Sequence, residues 1–184
     1  ASGVGTAALQ IARAAGVRVV GTARSPSKLE RARAYGLEVA VDSSSGDWAT
    51  KVEQSLGAEG VHAVVDLVGG NYLAGNLRVL APRGRIVVVG LTAGAVTEFN
   101  MGVLLRKRLT IVGTALRSRA IEEKIALSRE FEQRMVPLFE SGVLEAVVDR
   151  VFPFEEIRAA HELMESNATF GKIVLRWDDG RKGR

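Results

Sequence analysis

The sequence predicts an α/β fold built around a parallel β-sheet. Short apolar runs alternate along the 184 residues with longer amphipathic stretches, and the two most apolar runs lie at 61–70 and 84–91. Strands and helices that alternate at this spacing are typical of βαβ units, whose parallel sheets are covered on both faces. The chain also opens on a glycine-rich stretch that leads directly into an amphipathic segment, as the first βα turn of such a fold does.

Local patterns define the individual elements. The β-branched run 17–22 predicts a buried strand. The segment 25–36 predicts a helix. Ser25 can cap it, Pro26 suits its first turn, and Gly36 can end it. By the same criteria, further strands are expected at 37–42, 61–70, 84–91, 108–114 and 171–177, and further helices at 47–57, within 71–84, at 121–142 and at 153–167.

The composition is typical of a globular domain. Hydrophobic residues make up 47% of the chain. No apolar run approaches the roughly 18–20 residues that span a bilayer, so we expect no membrane partner. The absence of cysteine fits a reducing compartment, and we expect a cytoplasmic location. We expect residues 1–177 to form one domain and residues 178–184 to form a disordered basic tail.

The charge balance does not favour nucleic acid as a partner. The net charge is +4, from 25 Lys and Arg against 21 Asp and Glu, and three of the positive charges lie at 181–184. Nucleic-acid-binding domains more often combine a basic stripe with aromatic residues, which make up only 5% of this chain. His62 and His161 are isolated and have no cysteine partners, so we expect no metal site.

The opening stretch Gly3–Ala8 has the pattern G-x-G-x-x-A. In this pattern Gly3 permits a tight turn, Gly5 lets the backbone approach a pyrophosphate, and the small Ala8 lets the helix pack closely on the sheet. The free N–H groups and the dipole of the helix N-terminus would then favour the negative charge of the pyrophosphate. The pattern predicts a dinucleotide-binding loop within a Rossmann-type, doubly wound parallel sheet.

The end of the strand at 17–22 predicts which dinucleotide binds. A site that prefers NAD would place Asp or Glu here, where the carboxylate binds the ribose 2′-hydroxyl. This chain has no acidic residue at that point and has instead Arg24, Ser25 and Lys28, two cations and a hydroxyl that can meet a 2′-phosphate. The sequence therefore favours NADPH as the cofactor.

Two further strands end in glycine. They are "DLVGG" at 66–70 and "VVVGL" at 87–91. Ligands of open α/β sheets bind at the carboxyl ends of the strands, and glycine there allows a close approach of the backbone. Either stretch alone also fits an ordinary turn, but together with the opening loop they indicate a cofactor trough.

Five stretches, in this order along the chain, resemble the medium-chain dehydrogenase/reductase superfamily: "SGVGTAALQIARAAG", "DLVGG", "LAPRGRIVVVGL", "TALRSR" and "HELMESNATFGKIVLRW". The chain is most similar to the zinc-independent quinone oxidoreductase branch, especially the p53-inducible quinone oxidoreductase type with its "LRSR" loop and "GKIVL" ending. The resemblance extends from the start of the chain to about Trp177.

In that superfamily the cofactor domain is the second half of a chain whose first half is a GroES-like catalytic domain. The resemblance implies that this sequence lacks the GroES-like domain and the first Rossmann strand, which would precede Ala1. In the sheet order 3-2-1-4-5-6 that strand is central, so its neighbours at 17–22 and 61–68 would lose ladder partners. We therefore expect residues 1–184 to belong to a longer polypeptide, and alone neither to complete the sheet nor to reduce a substrate.

The resemblance also implies which residues surround the cofactor. The opening loop would hold the pyrophosphate, and the residues after the strand at 17–22 would hold the 2′-phosphate. The loops after the later strands would line the ribose and nicotinamide. The complete set is Ser2, Gly3, Val4, Gly5, Thr6, Arg24, Ser25, Lys28, Val68, Gly69, Gly90, Leu91, Leu116, Arg117, Ser118 and Asn167.

The resemblance implies an enzyme that transfers a hydride from NADPH to a quinone or enone, and a homodimer formed through the strand at 108–114. No side chain of the chain is assigned a catalytic role. An alternative is a non-catalytic NADPH-binding or RNA-binding module, because some relatives of this branch bind RNA and the chain is basic. A methyltransferase is a third possibility, but Ala23 and Arg24 stand where its ribose-binding acidic residue is normally found.

Overall fold

A computed structural model of the chain describes residues 2–177. Within these residues the chain forms seven β-strands and eight α-helices, and every ladder between strands is parallel. The α/β class and the parallel pairing predicted from the sequence are confirmed. The predicted basic tail 178–184 lies outside the described residues.

The strands are β1 (Val20–Ala23), β2 (Val39–Asp42), β3 (Val61–Asp66), β4 (Leu80–Val88), β5 (Thr110–Gly113), β6 (Val148–Pro153) and β7 (Lys172–Arg176). The helices are α1 (Gly3–Ala14), α2 (Pro26–Arg33), α3 (Trp48–Leu56), α4 (Tyr72–Val79), α5 (Met101–Lys107), α6 (Ile121–Arg134), α7 (Val136–Glu140) and α8 (Ile157–Glu165). Short 3₁₀ turns follow α3 at Gly57–Glu59 and precede α8 at Phe154–Glu156.

The chain divides into two compact units. In the described part of the chain, the first unit consists of residues 2–42 and 130–177, and the second consists of residues 43–129. The grouping of residues 1–177 into a single domain stays a prediction.

The second unit is built on the three-stranded sheet β3–β4–β5. Ile86 in the central strand is fully buried and pairs in register with Val64 of β3 and Ile111 of β5. Leu77 and Leu80 pack against Ile86 to form the core of this unit. Because the three strands are parallel, the loops that follow them leave the same edge of the sheet.

The first unit contains two pairs of strands, β1–β2 and β6–β7. Ser2 forms an isolated parallel bridge with Gly171, directly before β7. Among the described residues, no strand pairs with both β1 and β3. The core of this unit consists of Leu29, Ala32, Leu37, Val147 and Phe170.

The predicted helix boundaries in the first third of the chain are confirmed to within a few residues. Ser25 caps α2 and Pro26 is its first residue, as the sequence indicated. Asp47 caps α3, and Gly57 ends it with a φ of 60° that favours glycine.

The single helix predicted at 121–142 is wrong. The chain instead forms α6, which ends at Arg134, and a separate short helix, α7, with Pro137 in its first turn. Proline has no N–H to continue the helix ladder, and its ring clashes with the carbonyl group four residues earlier. The break at Met135 follows directly from the position of Pro137.

Pattern analysis also missed α5 and β6. Helix α5 has only seven residues, too few for a clear helical period, and it begins where Asn100 accepts the Gly102 N–H at 2.8 Å. Strand β6 has Asp149 and Arg150 in its first half, which hides its apolar character, and its ladder with β7 stabilises it.

Candidate cofactor site

Ser2 stands at the N-terminus of α1 and caps it. Its Oγ accepts the Gly5 N–H at 3.1 Å, and its carbonyl oxygen accepts the Thr6 N–H at 2.9 Å. Helix α1 is twelve residues long, so its aligned peptide dipoles place partial positive charge at this end. The four residues predicted for the pyrophosphate, 3–6, therefore lie with Ser2 at a helix end that attracts anions.

Thr6 differs from its neighbours because it is buried. Only 3% of the residue is exposed, and its hydroxyl donates to the Gly3 carbonyl oxygen at 3.1 Å. The side chain thus forms its hydrogen bond within α1. Contact between Thr6 and a cofactor stays a prediction.

The residues predicted for a 2′-phosphate lie at the end of β1 and the start of α2. Ser25 Oγ accepts the Lys28 N–H at 3.4 Å and lies 2.9 Å from the hydroxyl oxygen of Ser27. Arg24 is exposed, and no residue within 2–177 forms an ion pair or hydrogen bond with its guanidinium group. The first acidic residue after β1 is Glu30, on the second turn of α2.

Lys28 and Asn167 are brought together although they are far apart in the sequence. The Lys28 ammonium group donates a hydrogen bond to the Asn167 carbonyl oxygen. Asn167 follows α8 with a φ of 56°, in the left-handed region, and its Nδ2 donates to the Glu165 carbonyl oxygen at 3.2 Å. Asparagine is one of the few residues that tolerate this conformation. Lys28 and Asn167, both predicted as cofactor-binding residues, are therefore in contact within the first unit although they are far apart in the sequence.

The loop after β3 is organised by Asp66, which sequence analysis did not identify. The residue is 4% exposed. Its Oδ1 accepts the N–H groups of Val68 at 2.8 Å and Gly69 at 3.0 Å, and its Oδ2 accepts from Asn76 Nδ2 at 2.9 Å. A buried carboxylate is tolerated when its oxygens accept such bonds. The signal that could have found it is an Asp at the end of an apolar strand, three residues before the first of two paired glycines.

The loops after β3 and β4 are in contact through their glycines. Gly69 has a φ of 66°, and a Cβ there would lie 2.7 Å from Leu91 Cδ2. A Cβ on Gly90 would lie 2.7 Å from the Leu67 carbonyl oxygen. A larger residue at Gly90 would overlap the backbone of the neighbouring loop, and at Gly69 the positive φ would strain any residue that has a side chain. Val68, Gly69, Gly90 and Leu91 therefore gather at the carboxyl edge of the sheet, as predicted.

The three remaining predicted residues, 116–118, lie in the loop after β5. This loop leaves the same sheet edge, because the N–H of Thr114 donates to the carbonyl oxygen of Val88 at 3.0 Å. Within the loop, Lys124 Nζ donates to the Arg117 carbonyl oxygen at 3.1 Å. Leu116, Arg117 and Ser118 are all exposed. Their contact with a cofactor stays a prediction.

A cluster of charged residues joins α3 to α4 in the second unit. Arg78 Nε donates to Glu53 Oε1 at 2.9 Å, and this pairing lowers the pKa of the Glu53 carboxyl and raises the pKa of the Arg78 guanidinium. Hydrogen bonds from the Thr50 side chain and N–H lower the pKa of Asp47. The cluster connects two helices and includes none of the predicted cofactor residues.

Residues 2–177 contain no group of three or more His, Cys, Asp or Glu side chains that could hold a metal ion. The same residues form no helix with the length and apolar character needed to cross a membrane.

Residues 3–141 match the sequence profile of the zinc-binding dehydrogenase family. The chain belongs to this family. It is 30% identical over 94% of its length to the quinone oxidoreductase of Rattus norvegicus, and 31% identical over 95% to a 2-haloacrylate reductase of a Burkholderia species. It covers 51% and 53% of those two proteins. The chain thus spans about half the length of the curated relatives it matches.

Two solved structures compare closely with the chain. The Escherichia coli quinone oxidoreductase complexed with NADPH is 31% identical, with a TM-score of 0.78 over 95% of this chain and 54% of that one. An NAD-dependent alcohol dehydrogenase is 34% identical, with a TM-score of 0.76 over 95% of this chain and 48% of that one. The Rossmann-type fold and the resemblance to the cofactor-binding portion of quinone oxidoreductases in the medium-chain dehydrogenase/reductase superfamily are confirmed.

Proposed function

We propose that the chain is the cofactor-binding portion of an NADPH-dependent reductase that acts on quinones or activated alkenes. The observation that carries this proposal is the end of β1, where Arg24 and Lys28 stand without an acidic residue. The family relationship supports the chemistry, and the names of two relatives, a quinone oxidoreductase and a 2-haloacrylate reductase, support the substrate class.

The N-terminus of α1 would bind the pyrophosphate. Its dipole favours an anion, and Gly5 has no side chain that would keep phosphate oxygens from its backbone. Ser2 fixes the shape of this turn through its bond from the Gly5 N–H. The turn can therefore receive the pyrophosphate with little rearrangement.

Arg24 and Lys28 would bind the 2′-phosphate. Arg24 has no partner in the described part of the chain, so its guanidinium group is available for a bidentate contact. Lys28 donates one hydrogen bond to Asn167, and an ammonium group has three donors, so two remain for phosphate oxygens. A 2′-hydroxyl without phosphate would leave both cations unused, and this difference would favour NADPH over NADH.

The loops held by Asp66 would line the ribose and nicotinamide. Their shape is set by the hydrogen bonds to the Asp66 carboxylate and by the close approach of Gly69 to Leu91. The backbone at Val68 and Gly90 would thus form a firm surface against which the cofactor is oriented.

NADPH, when bound, supplies a hydride to an electron-poor carbon of the substrate. The residues of this chain orient the cofactor, and none of them is assigned a catalytic role. The family name implies zinc, but no set of ligands for it exists within residues 2–177, and the sequence has no cysteine. We therefore propose no zinc site in this chain. A cytoplasmic location is part of the same proposal.

The test is oxidation of NADPH by the full-length gene product in the presence of a quinone or an activated alkene. We expect NADPH to be consumed in step with reduction of the acceptor, and more efficiently than NADH. Binding of NADPH without hydride transfer to any acceptor of either class would instead favour a non-catalytic module. Failure to bind either nicotinamide cofactor would refute the proposal.

We further propose a homodimer formed through β5. This strand is at the edge of the sheet β3–β4–β5, and all four of its residues are exposed, including Ile111 and Val112. An apolar edge strand with free backbone groups favours pairing with another strand. Sedimentation of the full-length gene product at micromolar concentration should show a dimer, and Ile111→Lys should shift it toward monomer. A monomeric wild type would contradict the proposal.

A further inference from the structure

We propose that Arg31 is a positioning residue that orients Lys28 toward the cofactor 2′-phosphate, an inference that rests on the proposed function. Lys28 and Arg31 are three residues apart in α2, so their side chains lie on the same face of the helix. Lys28 reaches the carbonyl oxygen of Asn167, and Arg31 reaches the ring of Phe170, three residues further along the same segment. One face of α2 is therefore held against residues 167–170 at two successive points.

Arg31 makes two different contacts with the part of the first unit that contains β6 and β7. Its Nη2 donates to Asp149 Oδ1 at 3.0 Å, and its Cζ lies 4.3 Å from the centroid of the Phe170 ring. That ring is fully buried and also contacts Tyr35, which follows α2, with ring centroids 5.7 Å apart. A planar guanidinium group can donate from its edge and stack with its face at the same time. Arg31 is therefore restrained in two directions, although 54% of its side chain is exposed.

Asp149 is directed at Arg31 by an irregularity in the ladder between β6 and β7. The register shifts between Val148 and Arg150, which pair with successive residues of β7, and this leaves Asp149 as the extra residue of a bulge. A bulge re-aims the side chain that it contains. Only 16% of the Asp149 side chain is exposed, and within residues 2–177 the cation that pairs with it is Arg31. The bulge thus presents a largely buried carboxylate to α2.

The position of α2 determines where the free donors of Lys28 point. The ammonium group has two donors left after its bond to Asn167, and their direction depends on how α2 lies against that residue. A lysine side chain that moves freely loses more rotamer freedom when it binds a phosphate, and so it contributes less affinity. The pair of Arg31 with Asp149 would therefore increase affinity for a cofactor with a 2′-phosphate, and would not affect one without it.

The variant Asp149→Asn separates positioning from direct electrostatics, because the two predict changes of opposite sign. Removal of a negative charge would by itself strengthen NADPH binding, as would release of Arg31 to bind the phosphate directly. A positioning role instead predicts that Asp149→Asn in the full-length gene product weakens NADPH binding by about three- to fivefold and leaves NADH binding unchanged. Arg31→Met, which keeps an unbranched side chain and removes the guanidinium group, should cause the same loss. Calorimetric titration measures both affinities.

Glu30→Gln and Arg33→Met are the matched controls, because these two residues form an ion pair at 3.1 Å that lies within α2 itself. Each control should change the ratio of NADPH affinity to NADH affinity by less than about twofold. A double variant tests whether Asp149 acts through Lys28. In the Lys28→Ala background, Asp149→Asn should cause no further loss of NADPH affinity, because the residue that it positions is absent.

Stronger or unchanged NADPH binding by Asp149→Asn would overturn the proposal. Equal losses of NADPH and NADH affinity, together with a lower melting temperature, would also overturn it, because they would show a general effect on stability. Additive losses in the Lys28→Ala background would show that Asp149 does not act through Lys28. A wild type that binds NADH as tightly as NADPH would instead refute the 2′-phosphate site of the proposed function.

Discussion

Asp66→Ala is expected to lower the free energy of unfolding of the full-length gene product by about 3 kcal/mol or more, because three donors lose a buried, charged acceptor. The N–H groups of Val68 and Gly69 and the amide of Asn76 all bond to this carboxylate. Chemical denaturation, monitored by a spectroscopic signal from the second unit, measures the change in the free energy of unfolding. The loops at the carboxyl edge should lose their shape first, so affinity for NADPH should also fall.

Two further variants identify the cause of this effect. Asp66→Asn keeps one acceptor oxygen but presents its NH₂ group to a donor, so it should recover only part of the stability. Glu98→Ala removes an exposed carboxylate from the same unit and should change the free energy of unfolding by less than about 0.5 kcal/mol. A loss below about 1 kcal/mol for Asp66→Ala would show that water replaces the carboxylate, and that Asp66 does not organise the loop.

The double variant Arg24→Ala/Lys28→Ala is expected to weaken NADPH by about tenfold or more, since charge-assisted contacts contribute about 1.5–3 kcal/mol each when well formed. Its affinity for NADH should stay within about twofold of the wild type, because NADH has no phosphate at that position. Calorimetric titration of both cofactors into both proteins measures the change in preference.

The single variants should show which cation dominates. Arg24 has no partner in the described part of the chain, whereas Lys28 is already bonded to the Asn167 carbonyl. Arg24→Ala should therefore cause the larger loss of NADPH affinity. Arg158→Ala is the control for removal of one positive charge. Equal affinity of the wild type for NADH and NADPH would contradict the assignment, and would place the protein nearer to its NAD-dependent relative.

Elements with strong local signals could be predicted from the sequence. Helix α2 has a capping Ser25, a proline in its first turn and a glycine three residues after its end, so three local preferences agree. The strands β3 and β4 are continuous apolar runs, and the glycines that end them lie at the same sheet edge in the structure. The meeting of these glycine-ended strands at one sheet edge followed from the topology, whereas the family resemblance supplied the individual residues Val68, Gly69, Gly90 and Leu91.

What could not be predicted depends on tertiary contacts. The hydrogen bond from Lys28 to Asn167 joins residues from opposite ends of the chain, and no local pattern contains such a pair. Asp66 resembled an ordinary turn residue, because its burial and its bond from Asn76 become visible only when α4 is placed. Strand β6 is likewise recognised through its ladder with β7.

The most direct test of the proposed site is a crystal structure of the full-length gene product with NADPH bound. The proposed site predicts the pyrophosphate over the turn at Gly3–Gly5, and the 2′-phosphate within hydrogen-bond distance of both Arg24 and Lys28. It also predicts the nicotinamide against the loops that follow β3 and β4. A bound cofactor whose 2′-phosphate contacts neither Arg24 nor Lys28, or whose pyrophosphate lies away from the N-terminus of α1, would contradict it.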